Sequence, residues 1–375
     1  MAGNRKYMKL VEVLKEELKT SNWKADQRFY SEHQLCQKYH LSRQTVRQAI
    51  GLLETDNLLY SVRGSGTFVT EHAVRSRNQS TRTIGILVTY LSDYIFPVII
   101  KELEKTFTAA NYYIYIASTG NSVSQERKLL QAMIDKKVDG IILEPTKSAL
   151  PNPNLDIYRD LHNQGYPIIC INSYYPDLNL PLVALDDQTA GCMATKHLID
   201  AGHTKLGAIL KSDDIQGHLR YSGFQNMILA HGAEFIDDRV FWYTTEDLPN
   251  LEDDSEHILG RLKDCTAVLC YNDQIALRLI AILQHAGIEV PRDMSVISID
   301  DSRFAEIGLV PLTSVHNPAS EVGRVAAENL LKLIAGQNID AGRLFVPDIT
   351  VRKSVSRYNK PLRERLDEMR EIELN

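Results

Sequence analysis

The chain predicts an α/β protein in two parts. A small N-terminal winged helix-turn-helix domain leads, and a larger two-lobed body built on parallel sheets follows. Three observations predict this. Between residues 31 and 70, two short helical patterns joined by a tight turn run directly into a Gly-containing hairpin pattern. From Thr83 onward, short apolar strands alternate with helical patterns through two successive series. Charge divides at the same place. Residues 1–82 carry 14 Lys+Arg against 8 Asp+Glu, a net +6, and the rest of the −6 chain carries −12. A basic front on an acidic body fits a nucleic-acid-binding head on a partner domain. A membrane-surface head would need a denser basic cluster beside exposed aromatics.

In order, residues 7–20 form a first helix on the stripe Leu10, Val11, Leu14 and Leu18. Ser31-Glu32-His33-Gln34 has the form of a capping box and starts a short helix through Lys38. Ser42 is an N-cap residue for the next helix. There Val46, Ala49, Ile50 and Leu53 make a core stripe, and Arg43, Gln44, Arg47 and Gln48 face outward. Arg and Gln offer forked hydrogen bonds to guanine and adenine edges in a major groove. A solvated polar face on an ordinary helix fits those four residues equally well. The next stretch favours DNA: two strand patterns flank Arg63-Gly64-Ser65-Gly66, whose tip sets an arginine beside glycines that let backbone approach phosphate or the minor groove. The glycines also fit a purely turn-forming role.

Residues 5–70 resemble the winged helix-turn-helix head of GntR-type bacterial regulators. The resemblance rests on Ser31-Glu32, Ser42-Arg43-x-Thr45-Val46-Arg47-x-Ala49, Leu52-Leu53-Glu54 and Gly64-Ser65-Gly66-Thr67-Phe68-Val69. It implies that Arg43, Thr45, Arg47 and Gly66 contact operator DNA. With Ser42, Gln44, Gln48, Arg63 and Gly64 these form the expected DNA-binding set. The family pattern Leu-Pro-Ser-Glu is here Phe29-Tyr30-Ser31-Glu32, without the proline. Residues 71–82 have almost no apolar content and are expected to be an exposed linker.

In the body, strand runs at Ile84–Val88, Tyr113–Ala117, Asp139–Leu143 and Pro167–Ile171 alternate with helical patterns. Leu206–Leu210 opens the second series, which continues near 240–243 and 267–271 and at Ser295–Ile299. Two series imply two lobes whose strand ends face a shared crevice, where open α/β sheets bind ligands. Residues 83–355 resemble the LacI-type effector domain, related to periplasmic sugar-binding proteins. The carrying motifs are Asp139-Gly140-Ile141-Ile142, Gly202-His203-x-Lys205-Leu206, Arg220-x-x-Gly223-Phe224, Tyr271-Asn272-Asp273, Val296-Ile297-Ser298-Ile299-Asp300-Asp301 and Leu312–Pro318. With Glu144-Pro145-Thr146-Lys147-Ser148-Ala149, the whole chain resembles the arabinose-responsive repressors of Gram-positive bacteria.

A sugar needs paired donors and acceptors for its hydroxyls and a flat apolar surface for its C–H face. The resemblance implies Arg220, Asn272 and Asp300 as polar sugar ligands, Asn317 at the crossover between lobes, and Tyr94 and Phe96 against the ring. Glu144 and Lys147 complete the expected set, though the two also fit an i,i+3 ion pair. Tyr94 and Phe96 fit plain packing equally well, and Arg220 fits a structural ion pair.

The chain lacks a phosphate-binding glycine loop, a metal-ligand cluster and a nucleophile elbow, so the expectation is a protein that is not an enzyme and needs no cofactor or metal. The five cysteines are scattered without zinc spacing and are expected to be buried thiols. No apolar run approaches the roughly 18–20 residues that cross a membrane, and Met1–Lys6 leads into an amphipathic pattern and not an apolar one, so no signal peptide is expected. The expected organisation is a DNA-binding head over 1–70, a linker over 71–82, an effector body over 83–358 and a charged tail over 359–375. The resemblance implies a cytoplasmic homodimer that binds double-stranded operator DNA and is released by a monosaccharide, L-arabinose. Another pentose or hexose, or a solute receptor without DNA function, are the alternatives.

Overall fold

The head forms where the sequence places it. In a computed structural model that describes residues 3–20, 23–77, 80–91 and 94–358, α1 (Gly3–Thr20), α2 (Glu32–Tyr39) and α3 (Arg43–Thr55) precede the hairpin β1 (Leu59–Val62) and β2 (Gly66–Val69). Both hydrogen bonds of the Ser31/Gln34 capping box start α2, and His40 in the left-handed region at φ 53° ends it. Ser42 then caps α3 by accepting from the Thr45 N–H. Val46, Ala49, Ile50 and Leu53 are buried against Leu10, Leu14 and Leu18 of α1. Where the family carries proline, Tyr30 donates to Glu17 on α1 (2.6 Å), as do Tyr39 (2.8 Å) and Lys38 (2.7 Å). One carboxylate thus holds the start and end of α2 to α1. Burial opposes its charge, but these three donors keep Glu17 below the usual carboxylate range.

The expected linker over 71–82 is corrected in both halves. Glu71–Arg77 is a helix, α4, whose Ala73 is buried and whose Val74 packs on the head core. Thr70 Oγ1 accepts from the Ala73 N–H and caps it. Two apolar residues suffice because they fall together on the face turned to the head. Beyond the helix, Asp139 accepts from the N–H groups of Thr81 (2.9 Å) and Arg82 (3.2 Å), which pins the chain to the body. The expected tail over 359–375 lies outside the described residues.

The first lobe carries β3 (Thr83–Val88), α5 (Phe96–Ala109), β4 (Tyr113–Ser118), α6 (Val123–Asp135), β5 (Gly140–Leu143), α7 (Leu155–Asn163), β6 (Ile168–Ile171) and β7 (Leu182–Leu185). The chain then crosses to the second lobe as α8 (Asp187–Asp200), followed by β8 (Leu206–Lys211), α9 (Ile215–Ala230), β9 (Val240–Tyr243), α10 (Ser255–Leu262), β10 (Ala267–Cys270), α11 (Asp273–His285), β11 (Ser295–Asp300), α12 (Arg303–Ile307) and β12 (Thr313–His316). It returns as α13 (Ala319–Ile334) and β13 (Arg343–Phe345) and crosses once more to β14 (Asp348–Thr350). The sheets have the orders β13-β7-β6-β5-β3-β4 and β14-β12-β11-β10-β8-β9, parallel throughout except for β14.

The lobes therefore do not coincide with the two sequence series. The apolar stripe Ala319, Val322, Ala326, Ala327 and Leu330 of α13 completes the first core, and Ala190, Ala194 and Leu198 of α8 complete the second. α13 begins at the crossover beside Asn317 and ends in a left-handed turn at Gly336, which lies against Leu58 and the Asp56 carbonyl of the head. The cysteines are free: Cys170, Cys265 and Cys270 are buried, while Cys36 and Cys192 are only partly so. Among the described residues no helix is long and apolar enough to cross a membrane.

α8 and α9 pack backbone to backbone. A Cβ at Gly191 would collide with the Arg220 carbonyl, and one at Gly223 with that of Gln188. Gly51 on α3 has open space around its missing Cβ. Gly223→Ala is therefore expected to lower the melting temperature by several degrees, whereas Gly51→Ala raises stability by about 0.5–1 kcal/mol. Thermal and urea unfolding of the two variants checks this, and equal effects would refute the close packing of α8 on α9.

Candidate functional site

Two sites arise. On the head, the N-terminal half of α3 presents Ser42, Arg43, Gln44, Arg47 and Gln48 to solvent, with Thr45 half-buried under the Ser42 hydroxyl at 2.9 Å. Arg47 is not free on that face: its guanidinium donates in a fork to Glu32 of α2, at 2.9 and 3.0 Å. At the hairpin, Arg63 and Gly64 are exposed at the tip. Gly66, at φ 118°, is half-buried, and a Cβ there would stand 2.9 Å from Arg28 Nε. The glycine thus lets Arg28 lie across the base of the wing.

The second site is a cavity between the lobes at the C-terminal ends of their strands. From the first lobe, Thr89 and Tyr90 follow β3, Glu144 follows β5 and Asn172 follows β6; Tyr94, Ile95 and Phe96 come from the start of α5. From the second lobe, Lys211 ends β8, Tyr243 ends β9, Tyr271 and Asn272 follow β10, and Asp300 ends β11. Asp214, Gln216, Arg220, Leu248 and Gln274 complete the lining.

Arg220 is the largest fully buried side chain among the described residues. It donates from Nε to Asp187 Oδ1 (2.8 Å), from Nη1 to the Tyr271 carbonyl and from Nη2 to Asp300 Oδ1 (3.4 Å), and its guanidinium lies 4.6 Å from the Tyr271 ring centroid. Burial works against the Arg220 charge, but Asp187 and Asp300 hold its pKa above the usual value. Burial pushes Asp187 up to about 6 in spite of Arg220. Opposite, Glu144 accepts from the Thr89 N–H (2.8 Å) and the Thr89 hydroxyl, and burial pushes it up to about 7. Lys211 donates to Asp214 within the lining. Asn172 Oδ1 is a buried acceptor with no hydrogen-bond donor among the described residues, and the Asp214 carboxylate faces Asn121 as well as Lys211.

Of the eight residues expected from sequence, Tyr94, Phe96, Glu144, Arg220, Asn272 and Asp300 line this one cavity. The Tyr94 hydroxyl spans the lobes, accepting from the Asp273 N–H (3.0 Å) and donating to the Ile299 carbonyl (3.2 Å). Asn272 also caps α11. Two expected residues stand elsewhere. Asn317 lies behind Asp300 and donates to it at 3.1 Å. Lys147 pairs with Glu246 across the lobes, and Glu144 with Thr89 and Asn172, so the i,i+3 pairing does not form. Sequence reasoning missed Asn172, Lys211, Asp214 and Gln216. Asn172 and Lys211 carried a usable signal, since each is the polar residue directly after an apolar strand run, as Asp300 is. Among the described residues no three His, Cys, Asp or Glu side chains converge as a metal site.

The profile of the bacterial regulatory proteins of the gntR family matches residues 6–69, and that of the periplasmic binding protein-like domain matches residues 195–355. The chain is 37% identical over 355 residues to the arabinose metabolism transcriptional repressor of Geobacillus stearothermophilus, covering 93% of this chain and 97% of the relative. It is 34% identical over 337 residues to the protein of the same name from Halalkalibacterium halodurans, covering 87% and 90%. Among solved structures, transcription regulator CcpA of Lactococcus lactis superposes with a TM-score of 0.66 at 26% identity, covering 74% of this chain and 100% of that one.

Glu144 gives this site a pH signature. Its pKa is about 7 in the fold against 4.5 ordinarily, so the fold favours the protonated acid. That contribution to stability is complete below pH 4.5 and is lost as pH rises through about 7. Urea unfolding at pH 5 and pH 7 is expected to show the wild type losing about 2 kcal/mol more than Glu144→Gln over that interval. Equal losses would place Glu144 in water.

Proposed function

The chain belongs to the gntR family of bacterial regulatory proteins, among those whose head is joined to a periplasmic-binding-protein-like body, and on that premise we propose a cytoplasmic transcriptional repressor released from its operator by L-arabinose. Residues 1–70 read DNA in this proposal, and residues 83–358 sense the sugar. Paired heads of a homodimer meet a pseudo-palindromic operator, with α3 in the major groove. Arg43, Gln44 and Gln48 address base edges from its exposed face, while Ser42 and Thr45 approach the backbone. Arg47 reaches the groove by exchanging Glu32 for DNA. Arg63 and Gly64 bring the wing to the phosphates, over the base set by Gly66.

The observation that carries the sugar reading is the polar lining of the cavity, which includes the acceptors of Asn172 and Asp214. Buried acceptors call for hydroxyl donors. Glu144, Asp300 and Asn272 add further hydroxyl partners, Arg220 adds donors, and Tyr94 and Phe96 offer an apolar wall. Asn317 holds Asp300 in place. Both lining cations are already paired, Lys211 with Asp214 and Arg220 with Asp187 and Asp300, which favours a neutral sugar over a sugar phosphate. No catalytic step and no cofactor enters the reading. The sugar acts through its stronger affinity for the closed lobes, and by linkage that closure weakens the hold on DNA.

The test is operator binding by the full chain at one fixed salt concentration, using DNA from its own promoter region. Release by L-arabinose but not by D-ribose or D-galactose is expected. Binding that ignores arabinose would reject the effector, and absence of specific binding would reject the whole reading. Arg43→Ala should weaken operator binding by about 1–3 kcal/mol without changing arabinose affinity measured by calorimetry.

A further inference from the structure

Lys147 reaches across the lobes instead of into the cavity. Its Nζ lies 2.5 Å from Glu246 Oε1 on the loop after β9. The Lys147 backbone is left-handed at φ 44°, and its N–H donates to Asn121 Oδ1 at 2.8 Å. Asn121 in turn donates to Thr245 Oγ1 at 2.5 Å, beside Glu246. On the next two residues the seam continues. Ser148 Oγ accepts from the Ile215 N–H (3.0 Å), and the Ala149 N–H donates to the Asp213 carbonyl (3.2 Å). The 147–149 turn of one lobe is therefore laced to residues 213–215 and 245–246 of the other, with the ion pair at its solvent edge. The Lys147 side chain is 19% exposed and that of Glu246 66%.

We propose that Lys147 and Glu246 form a rim latch that holds the lobes closed, so that Lys147 sets effector affinity as a positioning residue without touching the effector. A direct ligand role and a latch role make opposite demands on Glu246. If Lys147 bound the sugar, Glu246 would compete for it, and its removal would leave affinity unchanged or improve it. If the pair is a latch, removing either partner loosens closure by the same amount, and removing both costs no more than removing one. A half-exposed pair has a modest effect, about two- to fivefold in affinity, that fades with added salt.

The experiment compares wild type, Lys147→Ala, Glu246→Ala, the double alanine variant and the charge swap Lys147→Glu/Glu246→Lys as full chains. Two readouts are taken: L-arabinose affinity by calorimetry at low and high salt, and amide hydrogen exchange of the segments 146–150 and 213–216 with and without sugar. Equal, non-additive losses of affinity and seam protection, restored by the swap, are expected. A loss in Lys147→Ala alone, or seam amides that exchange at free-loop rates in the wild type in both conditions, overturns the latch. The proposal takes its ligand from the effector reading above. Wild type that does not bind arabinose would sink that reading, while seam exchange still decides the latch.

Discussion

The body depends on a single buried guanidinium. Arg220 on α9 joins three places that are distant in sequence: Asp187 at the start of α8, the Tyr271 carbonyl after β10 and Asp300 at the end of β11. Burying such a charge is costly unless it is fully paired, and buried ion pairs add little net stability over apolar packing. What the pairing secures is geometry. Two carboxylates, one carbonyl and the face of the Tyr271 ring leave Arg220 one arrangement, so the cavity floor is rigid. Gly191 and Gly223 make that arrangement reachable, because only without Cβ atoms does α8 lie close enough to α9 for Asp187 to meet Arg220.

The same residues stand at the junctions between lobes. Asp187 opens the helix that follows the first crossover, and Asn317, bonded to Asp300, precedes the helix that follows the second. α13 then spans the first lobe and ends at Gly336 against Leu58 and Asp56 of the head. A group bound at Asp300 is thereby connected to the DNA-reading domain through one hydrogen bond and one rigid helix. From the other side, Asp139 anchors Thr81 and Arg82 to the first lobe where the body begins. Allosteric coupling needs such elements with discrete arrangements whose balance the ligand shifts.

Much of this was legible before any coordinates. Capping and stripe patterns located α2 and α3 because the signals are local: Ser31 with Gln34, Ser42 with Thr45, and Val46 through Leu53 lie within two or three turns. The strand runs were legible for the same reason. Six of the eight expected cleft residues share one cavity because strand ends in open α/β sheets converge. Contact overrides composition in three places. Residues 71–77 looked like a tether but form a helix around Ala73. Lys147, expected in the cleft, faces Glu246, 99 positions away. The second half of the expected linker is tied to Asp139, which nothing near it in sequence announces.

The sequence by itself determined what depends on neighbours within a few residues: the helices and their caps, the strands, the wing, the division of charge and the polar residues at strand ends. Tertiary structure alone decided what depends on chain crossings. It put α8 and α13 in lobes other than those their order implies, brought Asp187 to Arg220, and turned Glu144 into a carboxyl that titrates at about 7. The physical reason is range. Periodicity and capping act within a turn or two of the chain, whereas desolvation and ion pairing depend on which distant residues the fold sets side by side.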